Sequence, residues 1–199
     1  MEYQTIKENV CEITIEHSKF IGYAKGVESA EEAREFLASI RKKHSDATHN
    51  CYAYKLLDGS AKFSDDGEPS GTAGAPILEA ITSENLTNVI VVVTRYFGGI
   101  KLGTGGLVRA YFQTGKSALS TKKIKYEFCD VYVLSLNYDE LHKVDGFLQN
   151  NYVVLAKDFD MDIKVTIAVK KGEFSEDNLA ELLNKKPAIS WLKDGFMPI

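Results

Sequence analysis

A glycine-rich junction between an apolar strand and an amphipathic helix limits the folds open to this chain more than any other segment. The junction reads RYFGGIKLGTGGLVRAY, residues 95–111, and five glycines fall between Gly98 and Gly106. The run before it, residues 89–93, is VIVVV and predicts a strand covered on both faces. Glycine permits backbone conformations that other residues avoid and leaves no side chain to block a partner. The glycine turn (residues 98–106) is therefore the first candidate binding site.

The helix after the turn gives that site a chemical character. Apolar residues recur at helical spacing from Leu107 to Ala118, and the helix is predicted to begin near Thr104 or Gly105. A helix N-terminus offers unpaired N–H groups and a positive dipole end to an anion. Arg95, Lys101 and Arg109 bracket it, which predicts a site for phosphate, carboxylate or an RNA backbone. The alternative is a purely structural turn with solvated charges, since neither a Walker A nor a GxGxxG motif is present.

Composition narrows the class of protein. The chain has 199 residues, of which 44% are hydrophobic, so it can bury one good core or two small ones. No segment resembles a signal peptide or a membrane span, and three scattered cysteines suggest neither a disulfide framework nor a zinc site. We therefore expect a cytoplasmic protein without membrane contact or cofactor. The sequence assigns no oligomeric state.

Charge is divided unevenly between the two halves. The net charge is −4, which argues against a protein that coats nucleic acid nonspecifically. Residues 1–124 carry 15 Lys and Arg against 15 Asp and Glu, whereas residues 125–199 carry 9 against 13. A local basic patch on the first half is compatible with these numbers. So are ordinary basic residues along one exposed helix face.

The order of elements predicts an α+β protein of two domains. In residues 1–124 we expect strands near 10–16, 20–26, 47–57 and 89–93, helices over 29–44 and 104–121, and a short helix after Pro76, all packed on one sheet. Residues 63–76 are expected to be loop. Residues 125–199 read β-α-β-β-α-β, the ferredoxin-like order. The charged segment Lys122–Lys125 marks the boundary.

A second group of residues could carry chemistry. His49 lies in a strand, and Asp65, Asp66 and Glu68 lie close together in the loop. The carboxylates could hold Mg²⁺ or orient water with His49 as acid or base, but Asp-Asp-Gly-Glu-Pro is equally an ordinary turn and a lone strand histidine is usually structural. Ser70 lacks the GxSxG context of a nucleophile. The sequence therefore leans away from an enzyme and predicts no metal site.

Three motifs resemble a known family. They are ATHNCYAY (residues 47–54), DDGEPSGTAG (65–74) and RYFGGIKLG with GGLVRAY (95–103 and 105–111). Together they cover most of residues 18–122, and on them the chain is identified as a bacterial member of the IMPACT, or YigZ-like, family. The resemblance implies an N-terminal domain of the fold shared by a ribosomal protein domain, elongation factor G and the GHMP kinases. It also implies a C-terminal domain similar to the last, ferredoxin-like domain of elongation factor G.

The resemblance also bears on function. Of the fold relatives, the ribosomal protein and elongation factor G touch RNA. The resemblance also implies that eukaryotic members inhibit a translation-factor kinase by competing for its activating scaffold protein, a role that belongs to eukaryotic cells and does not transfer to this chain. We therefore expect a noncatalytic, translation-associated protein that binds RNA or the ribosome through the glycine turn. The expected binding residues are Arg95, Tyr96, Phe97, Gly98, Gly99, Lys101, Gly103, Gly105, Gly106 and Arg109.

Two alternatives stay open at this point. The first is an enzyme that acts on a small anionic ligand, with His49 and the Asp65-Asp66-Glu68 loop in the site. The second is a protein-interaction module that contacts a translation-related protein through Tyr52, Tyr54, Tyr96 and Phe97. Aromatic residues at such spacing are more often buried than interfacial.

Overall fold

The computed structural model describes residues 1–199 and divides them into two compact units. One unit comprises residues 3–124, and the other comprises residues 125–199 together with Met1 and Glu2. The second unit therefore includes the first two residues of the chain, which the sequence did not indicate. The Phe128 N–H donates to the Met1 carbonyl, and Lys125 forms a 2.8 Å ion pair with Glu2. Each helix is either too short or too polar to cross a membrane.

The N-terminal unit is built on one five-stranded antiparallel sheet with the order β2-β3-β6-β4-β5. Its strands are β2 (Glu8–Ile15), β3 (Ser18–Gly26), β4 (His49–Lys55), β5 (Ala61–Ser64) and β6 (Val89–Tyr96). They are preceded by β1 (Glu2–Ile6), which is not part of this sheet. The central strand is β6, and its valine-rich residues are fully buried as the sequence predicted.

Helices cover both faces of this sheet. They are α1 (Ala30–Lys43), α2 (Gly74–Ser83) and α3 (Gly103–Leu119). Val91 and Val93 of β6 pack with α2 and α3, whereas Ile90 and Val92 pack with α1, because successive strand residues point to opposite faces. The N-terminus of α1 is a half-formed capping box: Ser29 accepts from the N–H of Glu32, but the Glu32 carboxylate accepts from the N–H of Glu28 instead of that of Ser29.

The C-terminal unit has the element order that the sequence predicted. It consists of β7 (Lys123–Leu136), α4 (Tyr138–Asn151), β8 (Val153–Phe159), β9 (Ile163–Lys170), α5 (Glu176–Leu183) and β10 (Ala188–Pro198). Four strands of its five-stranded sheet pair antiparallel in the order β10-β7-β9-β8. Leu134, Val144, Leu148 and Val165 form a core between the sheet and the two helices.

Two strands were missed by the sequence analysis. β1 has no alternating pattern of apolar residues. β5 extends to Ser64 and so includes the first two residues of the segment that was predicted to be loop. Residues of β5 are largely exposed, and the strand exists because its backbone pairs with β4, Tyr52 opposite Ser64. Helix α3 begins at Gly103, slightly earlier than expected, and the last strand extends to Pro198.

Candidate functional site

The glycine turn connects β6 to α3 and holds several unpaired amides. The N–H groups of Phe97 and Gly98 donate to Thr48 Oγ1 (3.1 Å) and Ser18 Oγ (3.2 Å). The N–H groups of residues 99–102 make no hydrogen bond, and no side chain caps α3. The first N–H groups of a helix also lack partners within the helix. The start of α3 therefore presents a row of free donors.

Close approach and special backbone angles explain the glycines. A Cβ on Gly98 would lie 2.0 Å from the His17 carbonyl group, so only glycine fits beside the end of β2. Gly99 has φ of +88°, in the left-handed region that favours glycine. Gly105, by contrast, has room for a Cβ, whose nearest neighbour would be the Arg109 guanidinium at 3.6 Å. The Arg109 side chain thus folds back over the first turn of α3.

Two of the expected basic residues are free to meet an anion. Lys101 and Arg109 are exposed and take part in no ion pair. Lys116 and Lys123, farther along, both pair with Glu84, which neutralises much of the broader basic patch. The positive character of the site is therefore concentrated at the start of α3.

Arg95 has a different position from the one that the sequence suggested. Its side chain is 6% exposed and donates from Nη1 to Glu68 Oε1 at 2.6 Å. The guanidinium also lies 5.4 Å from the ring centre of Phe20 and 5.5 Å from that of Phe97. Since its charge is matched internally, Arg95 is not an exposed phosphate ligand. One donor, Nε, is buried without a hydrogen-bond partner.

Glu68 is the centre of a buried polar cluster. Its side chain is 3% exposed, and Oε1 accepts from both Arg95 and the Tyr111 hydroxyl, the latter at 2.7 Å. Burial raises the pKa of Tyr111, as do the neighbouring Cys51 and Glu68. The sequence placed Tyr111 only on the apolar face of a helix. A buried tyrosine needs a partner for its hydroxyl, which was the available signal that it meets a polar group.

His49 has a defined tautomer in its neutral form. Nδ1 lies 2.9 Å from the carbonyl oxygen of Asp66, which can only accept, so Nδ1 carries the proton. Nε2 then has a free lone pair and lies 3.8 Å from Glu68 Oε1. His49 and Glu68, 19 positions apart in the chain, are thus brought together as the sequence analysis considered.

Asp65 and Asp66 do not join them. The Asp65 carboxylate accepts from the N–H groups of Gly71, Ala73 and Gly74 at 2.8 to 3.0 Å and so fixes the entry to α2. The Asp66 carboxylate accepts from the Asn50 N–H at 2.7 Å and from Arg41 at 2.6 Å. The idea that these two carboxylates share a Mg²⁺ ion with Glu68 is therefore wrong, because each is already engaged elsewhere. No group of three potential metal ligands is present.

A cavity of about 480 Å³ joins the buried cluster to the glycine turn. It is lined by Thr48, His49, Glu68, Pro69, Arg95, Phe97, Lys101, Leu102, Gly103, Thr104 and Leu107. All three sequence motifs contribute to this wall. Arg109 and Tyr96 do not line it. The Tyr96 hydroxyl instead donates to Asp46 at 3.1 Å and lies 2.9 Å from His44 Nδ1.

The aromatic residues considered for protein recognition are mostly inside. Tyr54 is buried, and Tyr52 and Tyr96 are partly buried against the core of α1. Phe97 alone of the four is exposed, at 48%. This arrangement does not form an aromatic contact surface.

A second cavity, of about 560 Å³, lies within the C-terminal unit beside the end of α4. Its charged side chains already have partners: Lys170 pairs with Glu173 at 3.6 Å, and Glu127 pairs with Lys125 at 2.9 Å. Burial raises the pKa of the Cys129 thiol in its wall, which disfavours a reactive thiolate. This cavity lacks the unmatched groups found at the glycine turn.

Comparison with known proteins identifies the family. Residues 16–119 match the Impact N-terminal domain. The IMPACT family member YvyE of Bacillus subtilis is 38% identical over 194 residues, 94% of this chain and 89% of its own. Protein IMPACT of Oryctolagus cuniculus is 38% identical over 96 residues, 46% of this chain and 30% of its own. The crystal structure of a hypothetical protein, 27% identical, superposes with a TM-score of 0.63 over 96% of this chain and 98% of that one. The chain belongs to the IMPACT family.

Proposed function

We propose that this protein is a cytoplasmic, noncatalytic regulator associated with translation that binds RNA or the ribosome at the start of α3. A phosphate would accept hydrogen bonds from the free N–H groups of residues 99–104 and meet the positive charges of Lys101 and Arg109. Phe97 is exposed beside them and offers a face for stacking a base. Arg95, given its internal ion pair, has no direct part in this contact.

The observation that carries the proposal is the uncapped, donor-rich start of α3 with two unpaired cations over it. Backbone N–H groups and a helix dipole directed at one spot are a general solution for phosphate binding. The link to translation comes from the resemblance to the family, whose eukaryotic members are understood to inhibit a translation-factor kinase; that particular role is not proposed for this chain. A translation-related protein is a further candidate partner.

Salt-dependent RNA binding tests the proposal. We expect the purified protein to bind structured RNA or ribosomes with an affinity that falls steeply as salt increases. The double variant Lys101→Glu, Arg109→Glu should abolish binding. Lys42→Glu with Lys62→Glu changes the net charge equally at exposed positions outside the cavity and should bind normally. Binding that is insensitive to salt, or that survives the first double variant, would contradict the proposal.

An enzyme acting on a small anionic ligand is the second candidate. The observation in its favour is the Nε2 lone pair of neutral His49, which lines the cavity next to buried Glu68. Such a nitrogen can take a proton from a ligand hydroxyl or from water. Phosphorus NMR of phosphorylated small molecules incubated with the protein would detect turnover. Turnover that persists unchanged in His49→Ala would exclude this role.

We also propose a fold family for each of the two units. The β-α-β-β-α-β order and the sheet order β10-β7-β9-β8 support a ferredoxin-like C-terminal domain. The N-terminal sheet with helices on both faces is compatible with the fold of the ribosomal protein domain, elongation factor G and the GHMP kinases. An experimental structure superposed on those folds tests both assignments.

A further inference from the structure

We propose that the cavity beneath the glycine turn binds the base of a nucleotide, preferentially guanine, while the nucleotide phosphate lies at the start of α3. This inference rests on the phosphate contact proposed above and adds to it the identity of the group that fills the cavity.

The size and the walls of the cavity suit a flat heterocycle. Its volume, about 480 Å³, falls within the range of small-molecule sites. Pro69, Leu102 and Leu107 supply apolar wall, and the half-exposed ring of Phe97 contributes an aromatic face. Such sites are mostly apolar and contain a few polar groups that fix the orientation of the ligand.

Two hydrogen-bond acceptors lie side by side on the wall. Both internal bonds of Glu68 are made by Oε1, and Oε2 accepts none. The Nε2 atom of neutral His49 is also an acceptor, since Nδ1 donates to the Asp66 carbonyl. His49 Nε2 lies 3.8 Å from Glu68 Oε1, and both residues line the cavity, so the His49 nitrogen and the remaining Glu68 oxygen are close enough to meet one edge of a bound ring.

This pattern distinguishes among the RNA bases. Guanine presents two neighbouring N–H groups, N1–H and the N2 amino group, beside the O6 acceptor on one edge. Adenine and cytosine each present one amino group beside a ring-nitrogen acceptor, and uracil presents a single N–H between two carbonyl groups. Neighbouring acceptors on Glu68 and His49 therefore match guanine and leave an acceptor facing an acceptor with adenine or cytosine. A buried polar group left unpaired is a strong source of discrimination.

The charges in the cavity set the direction of the nucleotide. Glu68 and Arg95 neutralise one another in its wall, while Lys101 is unpaired, and Gly103 and Thr104 at the start of α3 line the same cavity. The negative phosphate belongs at this end, and the neutral base belongs at the buried end. The phosphate then meets the positive end of the cavity, and the base meets the hydrogen-bonding groups of its wall.

Calorimetric titration with mononucleotides tests the inference. We expect GMP to bind at least about tenfold more tightly than AMP, CMP or UMP, and inorganic phosphate to bind more weakly than any of them. His49→Ala should reduce the preference for GMP over AMP, and Thr104→Trp, an exposed position on the rim, should block all four nucleotides. His142→Ala, at an exposed histidine of α4, is the matched control and should change nothing. Equal affinity for GMP, AMP and inorganic phosphate, or unchanged GMP binding in Thr104→Trp, would overturn the inference.

Short RNAs separate the free nucleotide from a nucleotide within a strand. An oligouridine with one central guanosine should bind more tightly than oligouridine of equal length if the cavity reads RNA, whereas GMP selectivity without any RNA binding would assign the cavity to a free nucleotide and overturn the proposed function. Salt-dependent binding of RNA with no preference for guanine, in strands or as GMP, would overturn only the present inference.

Discussion

Arg95 donates a 2.6 Å hydrogen bond to Glu68, and both side chains are almost completely buried. The pair joins the last turn of the DDGEPSG motif to the end of the central strand, and Tyr111 of α3 binds the same carboxylate oxygen. Charges removed from water are tolerated only when they are matched and hydrogen-bonded. The pair, together with Tyr111, therefore holds together two of the three motifs around the cavity, DDGEPSGTAG and RYFGGIKLG with GGLVRAY.

Removing the negative charge of this pair should destabilise the protein. In Glu68→Gln the Arg95 guanidinium remains buried without a counter-ion, and breaking a buried pair in this way costs about 3–5 kcal/mol. Urea unfolding followed by circular dichroism measures the change. Arg34→Ala breaks an exposed pair with Glu31 on α1 and should leave the unfolding midpoint unchanged. An equal response of the two variants would show that the buried pair has no special role in stability.

Asp65 should make the protein sensitive to acid. Burial opposes ionisation of this carboxyl, but hydrogen bonds from the N–H groups of Gly71, Gly74 and Ala73 outweigh it and hold its pKa below the usual value. A group whose folded-state pKa is lowered stabilises the protein above its unfolded pKa, about 4, and this stability is lost as pH falls through the folded-state pKa. As the pH falls from about 5 to about 3, the free energy of unfolding should decrease less in Asp65→Asn than in the unsubstituted protein.

Asp58 provides the comparison for that experiment. Its pKa is also lowered, by hydrogen bonds from Ser60, but its carboxylate lies in an exposed turn. Asp58→Asn should therefore alter acid unfolding much less than Asp65→Asn. Parallel urea titrations across the acid range measure both. Indistinguishable curves for Asp65→Asn and the unsubstituted protein would contradict the assigned role of Asp65.

His44 should give a separate loss of stability at mildly acidic pH. Tyr96 donates to Asp46, so neutral His44 donates from Nδ1 to the Tyr96 oxygen and accepts from the Tyr23 hydroxyl at Nε2, 2.7 Å away. Burial, followed by the charge of Lys43, lowers the pKa of His44. Because the unfolded chain then binds the proton more readily, the free energy of unfolding decreases as pH falls below about 6.5.

A histidine substitution isolates this effect. We expect His44→Gln to be less stable than the unsubstituted protein at about pH 7.5. Its free energy of unfolding should decrease less between that pH and about pH 5.5, because the unfolded histidine pKa lies between these two values. Denaturant unfolding at the two pH values measures the difference. His142→Gln, at an exposed site, should retain the full pH dependence. Retention of that dependence in His44→Gln would rule out His44 as its source.

Two glycines of the turn should respond oppositely to the same substitution. Gly98→Ala places a methyl group 2.0 Å from the backbone of His17, and relief requires the turn to move away from β3. We expect severe destabilisation and loss of ligand binding. Gly105→Ala meets nothing closer than 3.6 Å and lies in a helix, where alanine is favoured by up to about 1 kcal/mol. Thermal unfolding of both variants measures the contrast, and a stable Gly98→Ala protein would refute the close approach.

The order of elements could be predicted because it depends on local patterns. Val89–Val93 reads as a strand buried on both faces, and Ala33, Phe36, Leu37 and Ile40 of α1 are buried as their spacing predicted. The β-α-β-β-α-β order of the second half followed from the same periodicities. β5 was not predicted, because its residues are exposed and only pairing with β4 makes them a strand.

The composition of the candidate site was only partly predictable. Sequence reasoning named His49, Glu68 and Lys101, which line one cavity, but it also grouped Asp65 and Asp66 with Glu68 although both carboxylates bind backbone or side-chain donors elsewhere. Adjacent residues of a turn point in different directions, and the partner of each depends on segments brought close by folding. Arg95 was expected at the surface for the same reason.

By itself the sequence determined most of the strands and helices, though not β1 and β5, the glycine-rich turn before α3, and the family motifs that the chain contains. Only the tertiary structure decided which charged side chains are paired within the protein and which are exposed. Periodicity reports the burial of apolar side chains along one element, whereas the pairing of Glu68 with Arg95 and Tyr111, 27 and 43 positions away, depends on how separate elements pack.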